Sequence, residues 1–189
     1  MLYLLTVINL KFLSMKNIIS ILFILLITLA KSQNYPQPNT NDSDPNLDKF
    51  VGTWLWQNGN SSLKLILKKE NALMPFPENY FSDVMIGFHK FISNGSVIED
   101  FSTFNTTNFS NKKWSIISGT DINNVNLLKG TIYHKVKNKS VKFEIEYLSP
   151  TQIKLVSLKD KPGTKISIGS QPAYDWSITL PQNIILTKQ

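Results

Sequence analysis

Few side chains in this sequence can do bond-making chemistry. There are two histidines, His89 and His134, and no cysteine, so thiolate nucleophiles, cysteine-ligated metals and disulfides are all excluded. His89 lies in VMIGFHKFI and His134 in GTIYHKV, each inside an apolar alternation, and no serine sits in a Gly-x-Ser-x-Gly elbow. The histidines together with Glu99 and Asp100 have the donor types for a metal, but nothing in their spacing brings them together. A lone histidine on a strand is more often a core or surface residue. Glu144 and Glu146 share a face in SVKFEIEYL, yet Lys142 shares it too, the pattern of a solvated ladder facing cross-strand lysines. Asp175, beside Trp176 in AYDWS, fits a loop anchored by its rings or a recognition tip. The chemistry-bearing residues therefore predict no catalytic residue, no metal site and no cofactor.

The elements that would position these side chains are strands. In SVKFEIEYL, Val141, Phe143, Ile145 and Tyr147 fall on one face and the charged residues on the other, the period of a half-buried strand. FVGTWLWQN, SLKLILKK, VMIGFHKFI, SVIEDFSTF, KWSIIS, LLKGTIYHKV, TQIKLVSL and NIILTK are similar short runs, each bounded by Gly, Asn, Ser or Pro. Asn58-Gly59 and Asn94-Gly95 predict tight hairpins, because type I′ turns need two residues that tolerate positive φ. No later stretch has a helical period of useful length. The expectation is an all-β antiparallel up-and-down barrel of about 8 to 10 strands, with a two-sheet sandwich as the alternative way of hiding edges.

The N-terminus predicts export. From Met15 the chain reads MKN, then the apolar run Ile18 to Ala30, then a small-x-small end at Ala30 and Ser32, a signal peptide over residues 1–32 cleaved to leave Gln33. Translation is expected to start at Met15, since the preceding segment serves no purpose before a basic n-region. The apolar run is shorter than the ~20 residues of a membrane span, so no stable span is expected after cleavage, an uncleaved anchor being the alternative. Residues 33–46 are nearly devoid of apolar side chains and predict a flexible tether, followed by one domain over 47–189.

Charge excludes another class. Removing Lys11, Lys16 and Lys31 with the leader leaves 17 lysines against 13 acids, only mildly basic. Arginine is absent, which removes the side chain that grips phosphates and guanine edges bidentately, so a nucleic-acid partner is not expected.

Gly52-x-Trp54 in FVGTW, at the start of the first strand, resembles the motif that opens lipocalins and fatty-acid-binding proteins. The resemblance implies a barrel in which Trp54 plugs one end, Gly52 makes room, and a basic residue of the last strand, here Lys188, covers the ring. A Thr-Asp-Tyr segment, a long helix before the last strand and a helical lid are all missing from this sequence. The chain is closer to small secreted lipocalin-like proteins of Gram-negative bacteria that lack an assigned activity, which implies a periplasmic or extracellular location. The aromatic residues Trp56, Phe88, Phe104, Trp114, Tyr133, Phe143 and Tyr147 are candidates to line a barrel cavity for a small apolar ligand. The competing expectation is a filled core in a non-catalytic envelope interaction domain whose protein partner is unknown. A continuous interior cavity of roughly 300 Å³ or more separates the two.

Overall fold

The computed structural model describes residues 36–161 and 174–189. The signal peptide expected over 1–32 lies outside the described residues. Ten strands form in chain order: β1 Asn41–Asp42, β2 Gly52–Asn58, β3 Ser61–Leu73, β4 Phe81–Ser93, β5 Ser96–Asp100, β6 Ile116–Asp121, β7 Asn124–His134, β8 Lys139–Ser149, β9 Gln152–Asp160 and β10 Ile184–Lys188. Eight of them close into an antiparallel barrel in the order β4-β3-β2-β10-β9-β8-β7-β6, with β4 pairing β6 to complete the ring. The all-β barrel expected from the alternations is what forms, and the sandwich is not.

Each wall strand obeys the two-residue period. In β8, Val141, Phe143 and Ile145 are buried while Lys142 and Glu146 are exposed. In β3, Leu63, Leu65 and Leu67 are buried and alternate with half-buried partners, so one face makes the core. The β4–β5 turn is Asn94-Gly95, with φ of 49° and 81°, as expected for type I′. The β2–β3 turn is shifted by one residue: Asn58 still pairs with Ser61, leaving Gly59 and Asn60 as the turn.

β2 begins at one end, the base, where the β6–β7 and β8–β9 turns also lie. The β2–β3, β4–β5 and β7–β8 turns lie at the other end, the top. The base is closed by a 3-10 helix, Pro45–Phe50, that buries Leu47 and Phe50. Asp44 caps it by accepting the Asn46 N–H at 3.0 Å, and Pro45 sits where its missing N–H costs nothing. Phe50 was expected on the strand with Gly52 and Trp54. It ends this helix instead, and its carbonyl accepts the Trp54 indole N–H at 2.8 Å.

The segment expected to be a tether is partly engaged with the barrel. β1 pairs in parallel with Phe81 and Ser82, and the Ser43 hydroxyl and Asp44 N–H both donate to Asp83 Oδ2. The domain's contacts therefore begin before Leu47. Between β5 and β6, residues 101–115 cross the outer face of β3 and β4, held by Lys68 Nζ donating to the Asn105 and Thr107 carbonyls and by Glu70 accepting the Phe109 N–H.

Candidate functional site

One cluster gathers the chemistry-bearing residues. His89 on β4 pairs with Leu65, and His134 ends β7 opposite Lys139, so both rings face the barrel interior near its top. Glu99 on β5 faces inward between them. Its carboxylate accepts from His89 Nε2 at 2.7 Å on one oxygen, and from His134 Nδ1 at 2.5 Å and the Val136 N–H at 3.0 Å on the other. On the far side of His89, Nδ1 meets Ser115 Oγ at 2.8 Å, and the same hydroxyl oxygen accepts the His89 backbone N–H. On the far side of His134, Nε2 accepts both the backbone N–H and the hydroxyl of Thr179, at 3.1 and 2.9 Å. A backbone N–H can only donate, so His134 carries its proton on Nδ1 and is neutral. The bond between His89 Nδ1 and Ser115 Oγ can run either way: the hydroxyl donates to Nδ1, or it turns to the Gly87 carbonyl and its oxygen accepts from an Nδ1–H.

Burial and hydrogen bonding oppose each other at Glu99. Burial alone would push its carboxyl upward, but the bonds from His134, His89 and Val136 outweigh it and hold the group well below the usual carboxylate range. The hydroxyl–imidazole–carboxylate order of Ser115, His89 and Glu99 matches the connectivity of a nucleophile relay. The three are at most 2% exposed, and the arrangement ties β4, β5, β7 and the end of the 101–115 segment together. No group of three or more His, Asp or Glu among the described residues is arranged to hold a metal. Here the donors face one another and are consumed in mutual hydrogen bonds.

The predicted lining residues divide into two sets. Phe143 is buried in the core, and Trp56 and Tyr147 pack against it. Phe88, Phe104, Trp114 and Tyr133 do not line the interior. Phe88 pairs with Ile66, opposite in face to Leu65 and Leu67, and is buried with Ile86 on the outer side of β4, the side crossed by residues 101–115. Phe104 and Trp114 belong to that covering segment, where Trp114 stacks on Phe109 at 6.0 Å and donates its indole N–H to the Phe109 carbonyl. Tyr133 alternates with the inward Ile132 and His134, so it points outward and bonds Asn138.

The interior gap bordered by the described residues is small. Leu63, Leu65, Ile116, Ile132, Phe143 and Leu180 border an apolar gap of only about 10 Å³. At the base, Lys188 pairs with Trp54 across β10 and β2, and its Nζ stands 5.1 Å from the ring centroid of the fully buried indole. A larger concavity of about 480 Å³ lies on the outer face of β7 to β9, lined by Lys129, Thr131, Lys142, Glu144, Ser157 and Lys159 among others. Glu144 there accepts from Ser157 and lies 4.0 Å from Lys129, the mixed-charge ladder expected on the solvated face of these strands.

Residues 15–189 match a family of unknown function, DUF6705. The chain belongs to that family. No curated protein and no solved structure matches it. Membership in DUF6705 brings no activity with it. No helix among the described residues is long and apolar enough to cross a membrane.

Proposed function

We propose that this DUF6705 protein is an exported, non-catalytic interaction domain that works through its surface and does not carry a ligand inside its barrel. The supporting observation is the interior gap of about 10 Å³, against the roughly 300 Å³ at which small-molecule pockets begin. A barrel holding a ligand leaves part of its inner wall bare. Here Leu47 and Phe50 close the base and Leu180 fills the top, all from segments outside the barrel wall. The buried Ser115–His89–Glu99–His134 network supports the same reading, because polar side chains that could do chemistry are withheld from solvent.

Export rests on the basic, apolar and small-residue order of residues 15–32. N-terminal sequencing of the protein from its own cells checks that part: a chain starting at Gln33 supports it, and an intact leader overturns it. For the interaction reading, native mass spectrometry of the same material is the test. A clean protein mass, with no binding of an apolar fluorescent probe at neutral pH, is expected. A co-purifying small molecule released on denaturation would make the protein a carrier instead.

A further inference from the structure

The top of the barrel is closed by a strap with no strand structure, residues 174–183, that runs into β10. Among the described residues four kinds of contact hold it, one being the Leu158 N–H of β9 donating to Gln182 Oε1 at 3.0 Å. Its apolar anchor is Leu180, 3% exposed and in the core, with Ile178 packed beside it. Its outer pins are electrostatic: Asp175 pairs with Lys137 at 2.7 Å, the Asp175 carbonyl accepts from Lys139 Nζ at 2.8 Å, and the Tyr174 hydroxyl donates to Asp160 at 2.7 Å. Its inner pin is the pair of hydrogen bonds from Thr179 to His134 Nε2. Only this last one depends on a histidine that is neutral.

We propose that His134 is a proton-operated latch: protonation at Nε2 releases Thr179, lifts the strap with Leu180, and uncovers the apolar interior at the top of the barrel. The chemistry is asymmetric. Once Nε2 carries a proton, the Thr179 hydroxyl can turn and accept from it, but the Thr179 backbone N–H then faces another donor and loses its partner. The new charge is held where it forms, since Glu99 already accepts from Nδ1 of the same ring. His89 faces the other carboxylate oxygen from β4, and Lys139, the cross-strand partner of His134 on β8, is engaged by Asp160 and the strap carbonyl. His89 is no second latch, because its Nδ1 meets a hydroxyl that can reverse its bond.

The test follows two nuclei in the full chain by NMR across about pH 8 to 5, the range in which imidazoles titrate. His134 Nε2 reports protonation, and the exchange rate of the Thr179 amide, corrected for its intrinsic pH dependence, reports release. The expected result is a loss of Thr179 protection by roughly tenfold or more, with the midpoint of the His134 titration, while the Phe143 amide of β8 stays protected and an apolar dye begins to bind. Thr179→Ala, which keeps the N–H and removes the hydroxyl at an exposed position, moves release to higher pH. Asp175→Asn, which loosens an outer pin, eases release but leaves it coupled to the His134 titration. The latch is overturned if Thr179 and Phe143 lose protection together, or if Thr179 protection ignores the His134 titration.

Discussion

Lys188 occupies the space that Gly52 leaves empty: a Cβ built on Gly52 would lie 2.7 Å from Lys188 Cε, whose ammonium stands over the Trp54 ring. Gly52 also has φ of +143°, a conformation open essentially to glycine alone. Two costs therefore meet at one position. Gly52→Ala is expected to lower stability by roughly 1 to 3 kcal/mol from the backbone alone, with a further loss as Lys188 is displaced. Adding Lys188→Ala removes the steric conflict and leaves the backbone cost, so the double variant should remain well below wild type in denaturant midpoint. Full recovery would mean that the clash is the whole effect.

Trp54 buries the largest ring of the core and donates to the Phe50 carbonyl. Trp54→Ala should cost about 3 to 5 kcal/mol, as for other large aromatic truncations in cores. Trp54→Phe retains much of the apolar volume and leaves that carbonyl without its donor, a loss of about 1 to 3 kcal/mol. Urea titrations of the two variants check the order. An unchanged midpoint for the alanine variant would remove Trp54 from any structural role at the base.

Acid should weaken the fold through Glu99. A carboxylate held below its ordinary value in the folded state adds stability that is present above the unfolded value, about 4.3 for glutamate, and is lost as pH falls through and beneath it. The folded value is low because hydrogen bonds from His134, His89 and Val136 outweigh burial. Wild type is therefore expected to lose stability steadily below about pH 5. Glu99→Gln should be destabilised near neutrality by roughly 1.5 to 3 kcal/mol, the usual worth of hydrogen bonds to a charged group, and should show a flatter acid limb. Thermal midpoints measured across pH for both chains test the pairing, and parallel acid limbs would show that other carboxylates carry the effect.

The sequence disclosed the wall of the barrel better than its contents. β8 was legible because its outer face meets water, so Lys142 and Glu146 mark the period against Val141, Phe143 and Ile145. β4 misled for the opposite reason: Phe88 and Ile86 are covered on the outside by residues 101–115, so VMIGFHKFI is apolar on both faces and the side of each residue cannot be read from alternation. The signal that would have moved Phe50 off the strand was present in Asp44-Pro45, an N-cap followed by proline at the first helical position. The His89–Glu99–His134 cluster had no local signal at all. Its members meet because β4, β5 and β7 are brought together by strand register, which is a property of the closed barrel and not of any short motif.

Leu180 offers the sharpest check on how the core is filled. It comes from the strap, not the wall, yet it borders the same small apolar gap as Leu63, Leu65, Ile116 and Ile132. Leu180→Ala should cost about 2 to 5 kcal/mol, the range for leucine truncations that leave a cavity. Because the surrounding walls are strands locked by their ladders, the space should persist, and an apolar cavity of that kind stays dry and takes up benzene or xenon. Benzene should therefore raise the melting midpoint of Leu180→Ala and leave wild type unmoved. If the variant is no less stable than wild type, Leu180 is not a structural part of the core. If it is destabilised but insensitive to benzene, the strap has collapsed into the space, and the closure of the top is more deformable than its hydrogen bonds to His134 imply.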